Sequence, residues 1–252
     1  ASVAIALLLT AALADPSVLY SAQRGPGAFF RIIPMWLMVA VATLSFGYAL
    51  VALAMGARAY LADTGGLGGN LSPRAILRTL HDVLALKNLS GGGHGCNDLD
   101  DGFTQARRRF HHAMFYGFML CFAATCTGAI YHHLLGLRSP HPFLSAPVQL
   151  GFWGGVLLCI GTAGMTWVKM NTDPAPIAKS LLGGEYAMLA LLFLVGATGL
   201  LLLALRHTGA MGVLLALHLG LVLALFIALP YGKMVHGLYR TIALLRDARE
   251  RG

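Results

Sequence analysis

Long apolar runs without a charged residue decide the fold class of this chain. Crossing about 30 Å of hydrocarbon takes roughly 18–20 consecutive apolar residues in a helix, because only a helix satisfies its own backbone in lipid. Six segments read as such spans: 1–14, 32–55, 110–134, 147–168, 185–205 and 210–229. Only 11% of residues are charged and 57% are hydrophobic, against about a quarter charged in a soluble domain. The expectation is an all-α integral membrane bundle of about six transmembrane helices, forming one domain over 1–252. The first span is short and the chain opens at Ala1. A cleaved signal peptide would account for that, but no basic n-region or small-residue cleavage site is present. The preferred reading is a truncated chain with a missing N-terminal region.

Orientation follows from the cations, since cytoplasmic loops carry the excess of Lys and Arg. Fourteen lie on one side: Arg58, Arg74, Arg78, Lys87, Arg107, Arg108 and Arg109 after span two, Lys169 and Lys179 after span four, and Lys233, Arg240, Arg246, Arg249 and Arg251 after span six. Four lie on the other: Arg24, Arg31, Arg138 and Arg206. The first side is therefore read as cytoplasmic, with both termini inside a bacterial inner membrane. The net charge of +8 is mostly this asymmetry, and anionic lipid accounts for it without nucleic acid. Trp36, Trp153 and Trp167 fall near span ends, where indole rings prefer to sit. Span four carries Gly151, Gly154, Gly155, Gly161 and Gly164, which reads as a helix that lets neighbours approach closely.

The long loop 57–109 contains Ser72-Pro73, an N-cap followed by proline at the first helical position. It opens an amphipathic helix over 73–89, with Ile76, Leu77, Leu80, Val83 and Leu84 on one face. Such a helix lies on the inner membrane surface or docks a soluble partner. Next comes Gly91-Gly92-Gly93-His94-Gly95-Cys96-Asn97, read as a tight turn facing a partner or cofactor, because one His and one Cys fall short of the four ligands of a zinc site. Cys121, Cys126 and Cys159 lie inside spans and Cys96 faces a reducing compartment, so no disulfide is expected. No Cys-x2-Cys-x2-Cys run is present to hold an iron–sulfur cluster.

The chemistry rests on histidine, which is costly in a lipid span unless it serves a function. Span three carries His111 and His112 at its start and His132 and His133 at its end; His218 lies in span six and His236 after it. Continued as one helix, the eighteen steps from His218 to His236 make five whole turns over roughly 27 Å, so both would point the same way. Spans three and six are antiparallel. His111 and His112 are then level with His236 on the cytoplasmic side, and His132 and His133 with His218 on the outer side. Each level offers one imidazole per helix, which is what a six-coordinate b-type haem requires. Helix phase separates the doublets only in part: His111 to His133 is about 40°, His111 to His132 or His112 to His133 about −60°, and His112 to His132 about 200°. His111, His133, His218 and His236 are the first choice for axial ligands, for one or two haems. Arg108, Arg109 and Lys233 are placed to neutralise haem propionates on the inner side, and solvated interfacial cations are the simpler alternative.

Several blocks carry a family resemblance: Gly91 to Asn97, Ala106-Arg107-Arg108-Arg109-Phe110-His111-His112, Phe115-Tyr116-Gly117-Phe118, Cys121 to Thr125, Tyr131-His132-His133 and Leu229-Pro230-Tyr231-Gly232-Lys233-Met234-Val235-His236-Gly237. Together they resemble the membrane protein of citrate/tricarballylate utilisation, over essentially the whole chain. The module is also similar to the C-terminal part of a cobalamin-biosynthesis flavin–iron–sulfur–haem protein. More distantly it is similar to the dihaem gamma subunit of nitrate reductase. The resemblance implies a transmembrane dihaem cytochrome b-like fold, preceded by a ferredoxin-like domain with two [4Fe-4S] clusters. It further implies a flavoprotein dehydrogenase as electron source and quinone as acceptor. Here the cluster domain is absent, so clusters are expected only in a missing N-terminal region or a partner, and His94 stands where an acidic residue is expected. Two other classes compete with electron transfer. A histidine-using transporter calls for acidic partners within the spans, for which Glu185 is the candidate; a structural anchor for a dehydrogenase would tolerate loss of His218.

Overall fold

The computed structural model describes residues 4, 15–67, 72–90, 94–95, 103–172 and 179–251, with 179–182 as backbone only. Among the described residues it is all-helical, and five helices are long and apolar enough to cross a membrane. Two short helices, α1 (Pro16–Leu19) and α2 (Ala28–Ile32), precede α3 (Met35–Asp63). There follow α4 (Pro73–Leu84), α5 (Ala106–His133), α6 (Ala146–Asn171), α7 (Lys179–Leu205), α8 (Met211–Ala228) and α9 (Val235–Glu250). The expected span 1–14 lies outside the described residues, apart from Ala4.

The span boundaries move for local reasons. Span two starts at Met35 because Pro34, in an extended conformation (ψ 135°), separates it from α2, and it runs on through Arg58 to Asp63. The loop helix begins as read: Ser72 accepts a hydrogen bond from the Ala75 amide at 3.2 Å, with Pro73 in the first turn. It stops at Leu84 rather than 89, since Leu86 adopts a left-handed φ of 44° and a 3-10 turn covers Lys87–Leu89. Its outer stripe of Ile76, Leu77, Leu80 and Leu84 is exposed.

The bundle is held by close backbone approach. Helix α5 packs along α6, α6 on α7, and α7 on α8, while α3 lies against α8 and α9 crosses to α4 and α3. Gly117 of α5 faces Gly154 and Leu158 of α6, so near that a Cβ at Gly154 would stand 2.7 Å from the Cys121 amide nitrogen. Span four is thus the packing helix its glycines imply. Helices α5 and α8 are not among the extensively packed pairs of the described residues. The gap between these two histidine-bearing spans is lined by side chains of both.

One structural premise is corrected. His218 and His236 do not share a helix: α8 ends at Ala228 and His236 is the second residue of α9. Pro230 explains the break, since it has no N–H to give and its ring collides with the carbonyl four residues back. The chain turns instead, with the Gly232 amide donating to the Ala228 carbonyl at 2.7 Å.

Candidate functional site

The break brings together what the phase argument could not. Helix α9 folds back across the basic end of the bundle, so that His236 meets His111 in the second turn of α5. The two ring centres are 6.2 Å apart and their planes cross at 84°. A metal–imidazole bond is about 2.0–2.1 Å and the ring centre lies about an ångström behind the nitrogen, so two imidazoles on opposite sides of one metal have centres about 6 Å apart. Both rings line a cavity of about 240 Å³. Met114, Phe115 and Phe118 form one wall, Leu192 of α7 part of another, and Val83 and Leu86 from the surface helix and its turn close the remainder.

Each ring has a nitrogen without a hydrogen-bond partner among the described residues. His236 donates its Nδ1–H to the Lys233 carbonyl, which leaves Nε2 with its lone pair, the second-shell arrangement by which metal-bound imidazoles hold their tautomer. His111 Nδ1 is buried without a hydrogen-bond partner, a condition that costs about 1–3 kcal/mol unless something binds there. Among the described residues no group of three or more His, Cys, Asp or Glu is gathered for a metal. A metal held by this pair therefore needs its other ligands from a bound group, as the four nitrogens of a porphyrin supply.

The cations sort differently from expectation. Arg240, four residues after His236 and hence on the same helix face, lines the cavity; only that spacing could have signalled it. Arg108 donates to the Ala85 carbonyl at 2.9 Å and keeps its Nε buried without a partner. Arg109 is exposed. Lys233 directs its ammonium to Glu185, which also takes Lys169. Asp82, on the cavity wall, is held below the usual carboxylate range: burial raises it, but the His81 hydrogen bond and the Lys87 charge outweigh burial.

His218 lies deeper. Thr198 donates its hydroxyl to the Leu194 carbonyl at 2.7 Å, so His218 Nδ1–H is the donor to Thr198 Oγ1 at 3.0 Å and Nε2 is again left open. The slot at His218, about 250 Å³, is lined by Cys121, Phe122 and Thr125 of α5 and Leu225 and Phe226 of α8; Phe118 borders both this slot and the His111 cavity. Gly199 makes room for the ring, since a Cβ there would stand 3.1 Å from Cε1. Thr198 carries no sequence signal, because a partner from a neighbouring helix has no fixed spacing to its histidine.

The other histidines are not brought to His218. His132 packs edge-on against Phe30 at 5.2 Å and against His133 at 5.0 Å, with its Nδ1 buried and unpartnered. Thr125, the last α5 residue in the slot, precedes His132 by seven residues, roughly 10 Å along the axis. His112 stacks on Tyr116, which donates to the Leu84 carbonyl at 2.9 Å. Of the glycine loop only His94 and Gly95 are described, with the His94 ring 6.4 Å from that of Phe103; Gly91 to Gly93, Cys96 and Asn97 lie outside the described residues.

Comparison with known proteins identifies the family of the chain. The family model described as citrate utilization protein B matches residues 1–252. A protein of Escherichia coli named citrate utilization protein B is 42% identical over 226 residues, covering 89% of this chain and 59% of its own length. This chain thus spans about three fifths of the length of that relative. No solved structure matches the chain. A helical membrane protein by its spans, it belongs to the citrate utilization protein B family.

Proposed function

We propose that this protein is a membrane-bound b-type cytochrome, passing electrons from a cytoplasmic flavoprotein and iron–sulfur partner to the quinone pool. The observation that carries the proposal is the meeting of His111 and His236, from separate elements, at 6.2 Å between ring centres in an apolar cavity. A haem b bound there would supply one-electron chemistry at a potential tuned by its two axial imidazoles. The residues do the rest. His236 is oriented by the Lys233 carbonyl, Phe115 and Phe118 keep water from the ring faces, and Arg240 offers charge to carboxylates at the cavity wall.

The donor side is the basic end, read as cytoplasmic from its charge. The exposed apolar stripe of α4, with Arg74 and Arg78 beside it, fits the inner lipid surface next to the cavity. The expected [4Fe-4S] clusters belong to a further region or a partner. One six-coordinate haem is proposed rather than two, because the lining of the His218 slot supplies a single imidazole. The transporter alternative is weakened by Glu185, whose carboxylate is taken up by two lysines and lines neither histidine cavity.

The test is rapid mixing of the dithionite-reduced, detergent-purified chain with a short-chain quinone. A b-type α-band that decays on mixing is expected. A missing α-band sinks the haem, and a band that quinone leaves unchanged sinks the acceptor.

A further inference from the structure

Glu185 is 8% exposed and lies near the start of α7. A carboxylate so buried must be compensated, and here two ammoniums reach it from different elements: Lys169 in the last turn of α6 and Lys233 in the turn between α8 and α9. Buried ion networks of this kind add little stability relative to apolar packing, but they fix which groups sit together. What they fix is particular in this case. Lys233 gives its ammonium to Glu185 and its backbone carbonyl to the Nδ1–H of His236. The turn that carries both has only short-range backbone bonds of its own, such as the His236 amide to the Lys233 carbonyl at 3.2 Å. Apolar packing also ties this turn to α7, with Gly232 against Met188 and Met234 on the cluster of Met188 and Leu192, but Lys233 joins the Glu185 carboxylate directly to the hydrogen bond that orients the His236 ring.

We propose that Glu185 is a positioning residue for His236. By clamping Lys233 it sets the angle at which the His236 imidazole faces His111, and with it the electronic character of a metal held between them. This rests on the proposed haem site. The present angle of 84° is nearly perpendicular, and perpendicular axial imidazoles give low-spin ferric haem a highly anisotropic paramagnetic resonance signal, whereas parallel ones do not.

Two variants of the detergent-purified full chain test the clamp, read by paramagnetic resonance and by redox titration. Glu185→Gln removes a negative charge, and Lys233→Met removes a positive one while keeping the carbonyl. A purely electrostatic role moves the potential up in the first and down in the second, and leaves the resonance signal alone. Positioning predicts that both variants retain haem and that both change the resonance signal in the same way, towards lower anisotropy. If Glu185→Gln fails to fold, Lys233→Met still decides, since its side chain is 60% exposed and its loss leaves no large cavity. Wild-type resonance and anisotropy in Lys233→Met overturns the inference. Absence of haem from the wild-type protein would instead overturn the reading on which it rests.

Discussion

Replacing Gly154 by Ala puts a methyl into the tightest seam of the bundle. The new Cβ would stand 2.7 Å from the Cys121 amide nitrogen, 2.9 Å from Cys121 Sγ and 3.0 Å from the Gly117 carbonyl oxygen. Two of these three are backbone atoms and cannot rotate away. Ordinary contact begins at 3.4 Å, so the helices must part by 3.4 − 2.7 = 0.7 Å at this level. Overpacking of this kind costs about 1–3 kcal/mol, and for a chain of this size each kilocalorie lowers a melting midpoint by about 2–4 °C. A fall of about 2–12 °C is expected in a size-exclusion-monitored thermal melt in detergent. Gly47→Ala is the control, because nothing lies within 4 Å of a Cβ there and alanine is the better helix former by about 1 kcal/mol. Should Gly154→Ala melt with Gly47→Ala and wild type, the α5–α6 seam is not packed as described.

Three further predictions follow from the site. Thr198→Val keeps the shape but strands the His218 Nδ1–H, at about 1–3 kcal/mol; its melt should fall below that of Thr198→Ser, and equality refutes the bond. Arg240→Gln should weaken haem retention on gel filtration while Arg109→Gln, at an exposed position, should not; equal loss from both refutes the assignment of cations. At the opposite end, burial pushes His141 below its ordinary histidine range, with the charge of His132 adding to the effect. The folded state then resists a proton that the unfolded chain accepts below about pH 6.5. Stability from this group is complete above that pH and declines as pH falls through the window beneath it. His141→Gln should flatten the wild-type decline in melting temperature between neutral and mildly acid pH, and an unchanged slope refutes the role of His141.

Five of the six spans were legible because lipid imposes a length and penalises charge, and both are written residue by residue. Span four read as a packing helix for the same reason: small residues can be counted, and Gly154 and Gly155 are indeed against α5 and α7. That His111 or His112 comes level with His236 was expected from the order of the spans, but by way of a continuous helix that Pro230 does not allow. Periodicity extends a helix until something stops it, and the proline two residues beyond the eighteen-residue α8 was the stop. The outer level failed differently. Level matching counted residues from span ends, whereas His218 sits among Cys121, Phe122 and Thr125 rather than beside His132. Thr198 and the Glu185 clamp were beyond reach, since each joins elements that are distant in sequence.

Haem content per chain, measured on wild type, His111→Ala, His236→Ala and His133→Ala after purification, tests the two-histidine site most directly. One haem per chain in wild type and His133→Ala, with loss of haem or of the six-coordinate spectrum in both His111→Ala and His236→Ala, is the expected result. Full six-coordinate haem in either His111→Ala or His236→Ala would contradict it.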